Sequence, residues 1–407
     1  MHLAHWSIAQ TKNRETEASG IGWELFLNYR IARDKYKPDY FLYENNKSMS
    51  PAIRTQITAE LDVEPVLINS ALVSAQNRQR LYWVGKRNPD GTYSQVPVEQ
   101  PEDRGILLRD ILETGVAWSE KSYCITATEA KGSNPQQTLT KHRRTMVAEP
   151  IVVNGMKNGK ARTVDAHMGK LENNLVPRIN NPNQAKQQYD CIAEPVRVGT
   201  IENDAKNSAF DSQQYRVYSP DGKSVTLCGN GGGLGAKTGL YATPVGGPDG
   251  KAWPVYEVRD GFIAIKGKRY PIKLRDGFYI IRKLTVTECK RLQTVPEEYV
   301  FPVSNSQAYK MLGNGWTVDV IAHIMSHFEG LTTEPVEVLS MYDGMSCGHI
   351  ALGKLGVQPW LLRYYATEID KYAIQTTQHN FPETVQLGDA FQVRNDDWRV
   401  EERMKGV

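Results

Sequence analysis

The chain has 407 residues, 40% of them hydrophobic and 23% charged, the proportions of a water-soluble globular protein of two or three domains. Its 49 basic residues outnumber 46 acidic ones to give a net charge of +3, compatible with nucleic acid but not specific for it. No apolar run nears the ~18 residues that span a membrane, the N-terminus lacks a signal peptide's pattern, and the five cysteines form no Cys-x-x-Cys pair. A cytoplasmic, reducing location with no membrane partner and no metal is therefore expected.

Residues 22–33 read as an amphipathic helix, 39–43 (DYFLY) as a short strand ending at Glu44-Asn45-Asn46, 51–61 as a helix and 66–70 as a strand, an α/β pattern. From residue 87 to 280 the texture changes. Turn signals recur at Pro89-Asp90-Gly91, Pro220-Asp221-Gly222, Pro248-Asp249-Gly250, Asp260-Gly261 and Asp276-Gly277, between short strands such as GFIAIKG and FYIIRKL. Two stretches here, AEPIVVNG (148–155) and AEPVRVGT (193–200), read as similar strands. The loop GNGGGLGAKTG (229–239) lacks the Gly-Lys-Ser/Thr of a phosphate loop, because Ala236 precedes Lys237. Helices return at 287–293 and 318–328, followed by a βαβαβ run: VEVLSM, a helix from His349, LLRYYATE, a helix from Lys371, and TVQLGD.

The first strand of that run turns through Tyr342-Asp343-Gly344-Met345-Ser346-Cys347-Gly348. Glycine lets backbone approach a ligand closely, and the following helix offers free N–H groups. Glu368 ends the next strand, placed to accept both ribose hydroxyls of a nucleoside, with Ile369 beside it. Asp389 and Ala390 end the third strand, within reach of an adenine amino group. The glycines do not spell the dinucleotide fingerprint, which disfavours an NAD enzyme. Asp343 suits a cation better than a pyrophosphate, and S-adenosylmethionine carries a sulfonium and an ammonium. A tight βα turn without ligand is the competing reading of the turn alone.

Four segments besides this turn carry a resemblance. YENNKSM (43–49) looks like a Glu-Asn-Val element, QNRQR (76–80) matches a Gln-x-Arg-x-Arg pattern, and RKLTVTECKRLQTVP (282–296) and YKMLGNGWTVDVIAHI (309–324) look like the closing segments of one family. Together with the cofactor loop, they make the chain resemble the cytosine-5 DNA methyltransferases. The resemblance implies an α/β fold: a Rossmann-like doubly wound sheet of the S-adenosylmethionine-dependent methyltransferases, with a β-rich target-recognition domain inserted. It implies a second part of the catalytic domain at 1–86, the recognition domain at 87–280, a closing helical segment at 281–330 and the cofactor-binding part at 331–407. The family's usual order begins with the cofactor loop, which here comes last, so the chain reads as a circular permutation.

The resemblance also implies roles. S-adenosylmethionine would be held by Tyr342 to Gly348, Glu368, Ile369, Asp389, Ala390, Asn314 and Trp316. Cytosine C5 becomes nucleophilic when a cysteine thiolate adds to C6, while Glu44 acts near N3, Asn45 fixes local backbone, and Arg78 and Arg80 hold the base carbonyl, the cysteine region or a phosphate. Taken alone, Glu44 reads better as a strand-end helix cap, and a surface ion pair is the lesser alternative for the arginines. Duplex DNA is the partner, with the target base flipped out. Lys141, Arg143, Arg144, Gln136, Gln137, Gln213 and Gln214 are candidates for its contacts, each also readable as part of a solvated turn. No Pro-Cys dipeptide occurs, so the family's nucleophile and its strand are expected from a second polypeptide or a further segment; Cys124, Cys191 and Cys228 are assigned to the β-rich module. A non-catalytic DNA-binding accessory homologue and an RNA methyltransferase are the competing functions. A prokaryotic or phage-infected cell is the expected setting, with restriction–modification, phage self-protection and regulation all open.

Overall fold

The computed structural model describes Trp6 and residues 15–131, 135–141, 144–150, 255–265 and 267–399, with the backbone of five short strands between 156 and 241. The chain forms two compact units: residues 1–147 with 282–407, and residues 148–281.

The first unit opens with α1 (Gly20–Tyr36), β1 (Tyr40–Asn46), α2 (Pro51–Leu61), β2 (Pro65–Asn69), β3 (Gln79–Arg87), β4 (Tyr93–Gln95), α3 (Leu108–Ile111) and α4 (Pro135–Lys141). α1 stops where Lys37 turns left-handed at φ 45° and Pro38 forbids continuation. α2 starts on a Ser50 hydroxyl that accepts the Ile53 N–H, with Pro51 in the first turn. β3 is the centre of an antiparallel sheet, between β1 and β2, and also pairs with β4. The Pro89-Asp90-Gly91 signal makes the β3–β4 turn, where the Asp90 carboxylate accepts the Thr92 N–H at 2.9 Å. β1 does not end at Tyr43 as its aromatic run suggests. It continues through Glu44, Asn45 and Asn46, because these residues still have partners in β3, Asn46 opposite Arg80.

After the second unit come α5 (Val286–Leu292), α6 (Asn305–Asn314), α7 (Val318–Met325), β15 (Val336–Met341), α8 (Cys347–Lys354), β16 (Leu362–Thr367), α9 (Lys371–Asn380), β17 (Val385–Gly388) and α10 (Ala390–Asn395). β15, β16 and β17 form a parallel sheet in that order, the helices between them serving as crossovers. A single apolar cluster runs from Ile68, Tyr82 and Val84 through Leu292, Leu312 and Ile321 to Met345 and Ile350, joining the antiparallel sheet to the turn and helix after β15, while the parallel strands pack in two smaller clusters around Leu387 and around Tyr364. A second, aromatic cluster packs α1 and α2 on β1 and β3 through Phe26, Tyr43, Ile53 and Trp83. Among the described residues, β1 and β15 each have one strand neighbour, and none of the six residues of β15 is buried.

The second unit is β-rich, as its turn signals require. Its strands are β5 (Met146–Pro150), β6 (Met156–Lys157), β7 (Lys160–Ala161), β8 (Arg197–Thr200), β9 (Arg216–Tyr218), β10 (Leu240–Tyr241), β11 (Val255–Arg259), β12 (Phe262–Ile265), β13 (Lys268–Pro271) and β14 (Gly277–Lys283), the first and last reaching across its boundaries. Asp260 and Gly261 both have positive φ, 51° and 74°, between the paired Arg259 and Phe262, the geometry of a two-residue type I′ hairpin. The unit starts at 148 rather than at the expected 87. Residues 87–147 hold α3 and α4 and bury Leu108, Ile111 and Ile125 in the core of the first unit. The loop 229–239 and most of the two AEP stretches lie outside the described residues. No helix among the described residues is long and apolar enough to cross a membrane.

Gly313, at the end of α6, shows how closely the first unit is packed. A Cβ there would overlap the Thr126 carbonyl and the Ala127 nitrogen, which are backbone and cannot swing away. Gly313→Ala is therefore expected to cost at least ~1–3 kcal/mol. Gly353→Ala, in α8 with open space around it, is expected to be neutral or mildly stabilising. Urea-unfolding midpoints of the two variants test the contrast.

Candidate functional site

Two polar clusters sit in the first unit, and Trp316 lies between them. The first is at the carboxyl ends of the three parallel strands, the end where open α/β sheets bind ligands. A pocket there is lined by Tyr342, Thr367, Glu368, Ile369, Gly388, Asp389 and Ala390. The turn after β15 is built from alternating left-handed residues: Tyr342, Gly344 and Ser346 have φ of 59°, 61° and 58°. Thr367 Oγ1 accepts the Tyr342 N–H at 3.1 Å, and the Tyr342 hydroxyl donates to the Leu25 carbonyl at 3.0 Å, tying the turn to α1.

Glu368 is 4% exposed, and backbone donors fix its carboxylate. Oε2 accepts the Gly344 N–H at 2.9 Å, and Oε1 accepts those of Ile369 and Asp370 at 2.7 and 2.8 Å. Ile369 is half exposed at the lip of the pocket. Asp389 caps α10 by accepting the Phe391 N–H at 2.9 Å. The structure thus brings Tyr342, Glu368, Ile369, Asp389 and Ala390 together around one opening. Thr367 and Gly388 complete the lining and escaped the sequence; Gly388, at φ 83° just before Asp389, was the readable signal.

The rest of the loop turns inward. The Asp343 carboxylate accepts from Ser340 Oγ at 2.6 Å, from Tyr364 OH at 2.8 Å and from Ser346 Oγ. Met345 and Cys347 are 1% and 4% exposed, and burial pushes the Cys347 thiol up to about 12. Gly348 approaches the Tyr364 hydroxyl too closely for a side chain. Asn314 is exposed at the end of α6. Trp316 is not part of the lining, and its indole N–H donates to Glu44 Oε2 at 3.1 Å.

Glu44 is the centre of the second cluster. Its other oxygen pairs with Arg80 Nε at 2.9 Å, and both side chains are largely buried. The strand register explains the meeting: Glu44 lies opposite Tyr82, and Arg80 is two residues from Tyr82 on the same face. Asn45 is 1% exposed; it donates to the Tyr43 hydroxyl at 3.0 Å and accepts the Asn46 N–H at 2.7 Å at the end of β1. Arg78 is 4% exposed and spends its donors on carbonyls, those of Gly315 at 2.8 Å and of Ile125 and Gly313 at 3.4 Å. Beneath it lies a buried amide pair. Gln76 donates to Gln293 Oε1 at 3.2 Å and accepts the Ile125 N–H at 2.7 Å; Gln293 donates to the Leu312 carbonyl at 2.6 Å, and Thr317 Oγ1 donates to Gln293 Oε1 at 2.9 Å.

Cys124, assigned by sequence to the β-rich module, belongs instead to the first unit and stands beside both arginines. Of the expected DNA-contacting residues, Lys141 ends α4 and is exposed, and Arg144 donates to Thr128 Oγ1 at 2.9 Å. Both are in the first unit. Gln136 opens α4 at the half-buried level, with its carbonyl accepting from Thr140. Arg143, Gln213, Gln214 and the Gln137 side chain lie outside the described residues, as do Cys191 and Cys228.

Comparison with known proteins adds an independent finding. The profile of the family described as C-5 cytosine-specific DNA methylase matches residues 4–231 and 265–329. The orphan methyltransferase M.SPBetaI of Bacillus phage SPbeta is 26% identical over 341 residues, covering 74% of this chain and 68% of the phage protein. The putative type II methyltransferase M.BsuMIIP of Bacillus subtilis (strain 168) matches to the same extent. The type II methyltransferase M.HhaI of Haemophilus parahaemolyticus is 31% identical over 112 residues, 28% of this chain and 24% of its own length.

The inward carboxyl of Asp343 has a measurable consequence. Burial, with a smaller push from Glu368, raises it from 3.8 to about 6 against the pull of its hydroxyl donors. A carboxyl raised on folding stabilises below its unfolded value, and that stability is lost as pH rises through the folded one. Wild-type stability is expected to fall, relative to Asp343→Asn, as pH climbs through about 6. Urea midpoints of the two proteins across that range check the sign.

Proposed function

The chain belongs to the C-5 cytosine-specific DNA methylase family and is a DNA cytosine methyltransferase, and from that premise we propose that it takes the methyl group from S-adenosylmethionine and transfers it to C5 of a cytosine flipped out of duplex DNA. Methylases of this family depend on S-adenosylmethionine in general, and the pocket at the ends of β15, β16 and β17 suits an adenosyl group. Glu368 offers a carboxylate to the ribose hydroxyls, Asp389 an acceptor to the adenine amino group, and Ile369 an apolar surface for the ring. When bound, the sulfonium supplies an electrophilic methyl group. Glu44 shares a proton with N3 of the base, while Arg80 holds Glu44 in place and presents its remaining donors to the base carbonyl. The observation that carries this reading is one chain of contacts. Trp316 reaches Glu44 from the loop that also meets Cys347 of the cofactor turn, within a single compact unit.

The motif order reads as a circular permutation. The family match ends at residue 329, and β15, β16 and β17 with their pocket follow it, yet they join the first unit rather than forming a body of their own. The second unit, at 148–281, is the target-recognition domain on this reading, and Lys141 and Arg144 contact phosphates near its start. We take the cysteine nucleophile and its strand to come from outside the described residues, from a second polypeptide or a further segment. The single strand neighbour of β1 and of β15 supports this, as does the absence of any buried residue in β15.

Calorimetry of the full chain is expected to show S-adenosylhomocysteine binding and no NAD binding. Glu368→Ala should weaken the former by ~1.5–3 kcal/mol, roughly ten- to a hundredfold. Where transfer of labelled methyl to cytosine-containing duplex is observed, Glu44→Gln should slow it ~10²–10⁴-fold with little effect on DNA affinity. A chain that ignores adenosyl ligands, or that transfers equally well with Gln at 44, overturns the proposal.

A further inference from the structure

Cys124 is the one described cysteine that remains partly exposed; Cys289 and Cys347 are buried. Its Sγ lies 3.2 Å from Arg78 Nη1 and 3.9 Å from Arg80 Nη2. The same Arg80 guanidinium holds Glu44 through Nε at 2.9 Å. One cation therefore stands between a thiol and the carboxylate assigned to the base. We infer that Cys124 is a positioning residue of this site: it shares the Arg80 guanidinium with Glu44 and so sets how that cation is held against the carboxylate. The inference rests on the reading of Glu44 given above.

The electrostatics run one way. Desolvation raises the Cys124 thiol, but the two guanidiniums outweigh it and the net direction is down. Burial, by contrast, pushes Cys289 and Cys347 up. The charged and titratable groups facing the pair are Arg78 just before β3, Arg80 and Tyr82 on β3 and Glu44 on β1. The end of α6 and the loop after it contribute no charge here, only the carbonyls of Gly313 and Gly315 to Arg78 and the Trp316 indole N–H to Glu44. A thiolate on Arg80 offsets part of that cation's field at Glu44. Cysteine suits this place better than serine, whose hydroxyl stays neutral.

The test reads the coupling directly and needs neither DNA nor a methyl donor. The rate of iodoacetamide modification of Cys124 is followed against pH by peptide mass spectrometry on the full chain. The midpoint is expected below the ordinary thiol value. Glu44→Gln removes the competing negative charge and should lower it further, and Arg80→Gln should raise it, each by on the order of one pH unit. A wild-type midpoint at or above the ordinary value, or one that Glu44→Gln leaves in place, overturns the inference. Where methyl transfer is measurable, Cys124→Ser and Cys124→Ala should both alter its pH–rate profile. Restoration of the wild-type profile by Ser would mean that packing alone is at stake and would also overturn it. Coupling without any methyl transfer would leave the charge-sharing intact and count against the assignment of Glu44.

Discussion

The candidate active site depends on a buried amide pair that never faces the ligand. Gln76 and Gln293 are fully enclosed, and between them they bind the residues ahead of β3, the strip at Cys124 and Ile125, the end of α5 and the loop between α6 and α7. Leaving any one of these groups unpaired in the interior would cost about 1–3 kcal/mol, so the four segments are held in one arrangement. Arg78 adds a second layer by reaching the carbonyls of the same loop and strip. What protrudes from this base is Arg80, Glu44 and Trp316, each already aimed. The position of the carboxylate is a property of the interior beneath it, more than of its own strand end.

A second economy is visible at the parallel strands. Asp370 and Asp389 begin α9 and α10 by capping them, while Asp389 also lines the pocket. A carboxylate at a helix start is stabilised by the local N–H groups and the helix dipole. Asp389 is thereby oriented by the fold itself. Glu368 is treated likewise, its oxygens gathered by three backbone donors that also fix the glycine turn. Recognition groups and fold-stabilising groups are the same atoms here, which leaves little to rearrange on binding.

Much of this was readable in the chain, and the limits have physical causes. Spacing placed Glu368 and Asp389 at successive strand ends, because in a βαβ repeat the strand ends align at one edge. The α2 boundaries and the Asp260-Gly261 hairpin followed from caps and turn residues whose chemistry is local. The inward hydrogen bonds of Asp343 were not legible, because the three hydroxyls that hold its carboxylate are spread from residue 340 to 364. Cys124 was misplaced because the change to short strands and turns begins at 87, while the packing boundary lies at 148. Composition registers where turns become frequent, whereas unit membership is decided by which side chains, such as Leu108 and Ile125, enter which core. Trp316 met Glu44 across 272 residues of sequence, a distance that no periodicity can report.

The close crossing at Gly313 gives these parts a mechanical relation. The backbone at Thr126 and Ala127 lies directly against the end of α6, two residues beyond Cys124 and three residues before Trp316. With no side chain between them to act as padding, neither strip can shift without displacing the other. Thiol, indole and carboxylate therefore ride on a common seam.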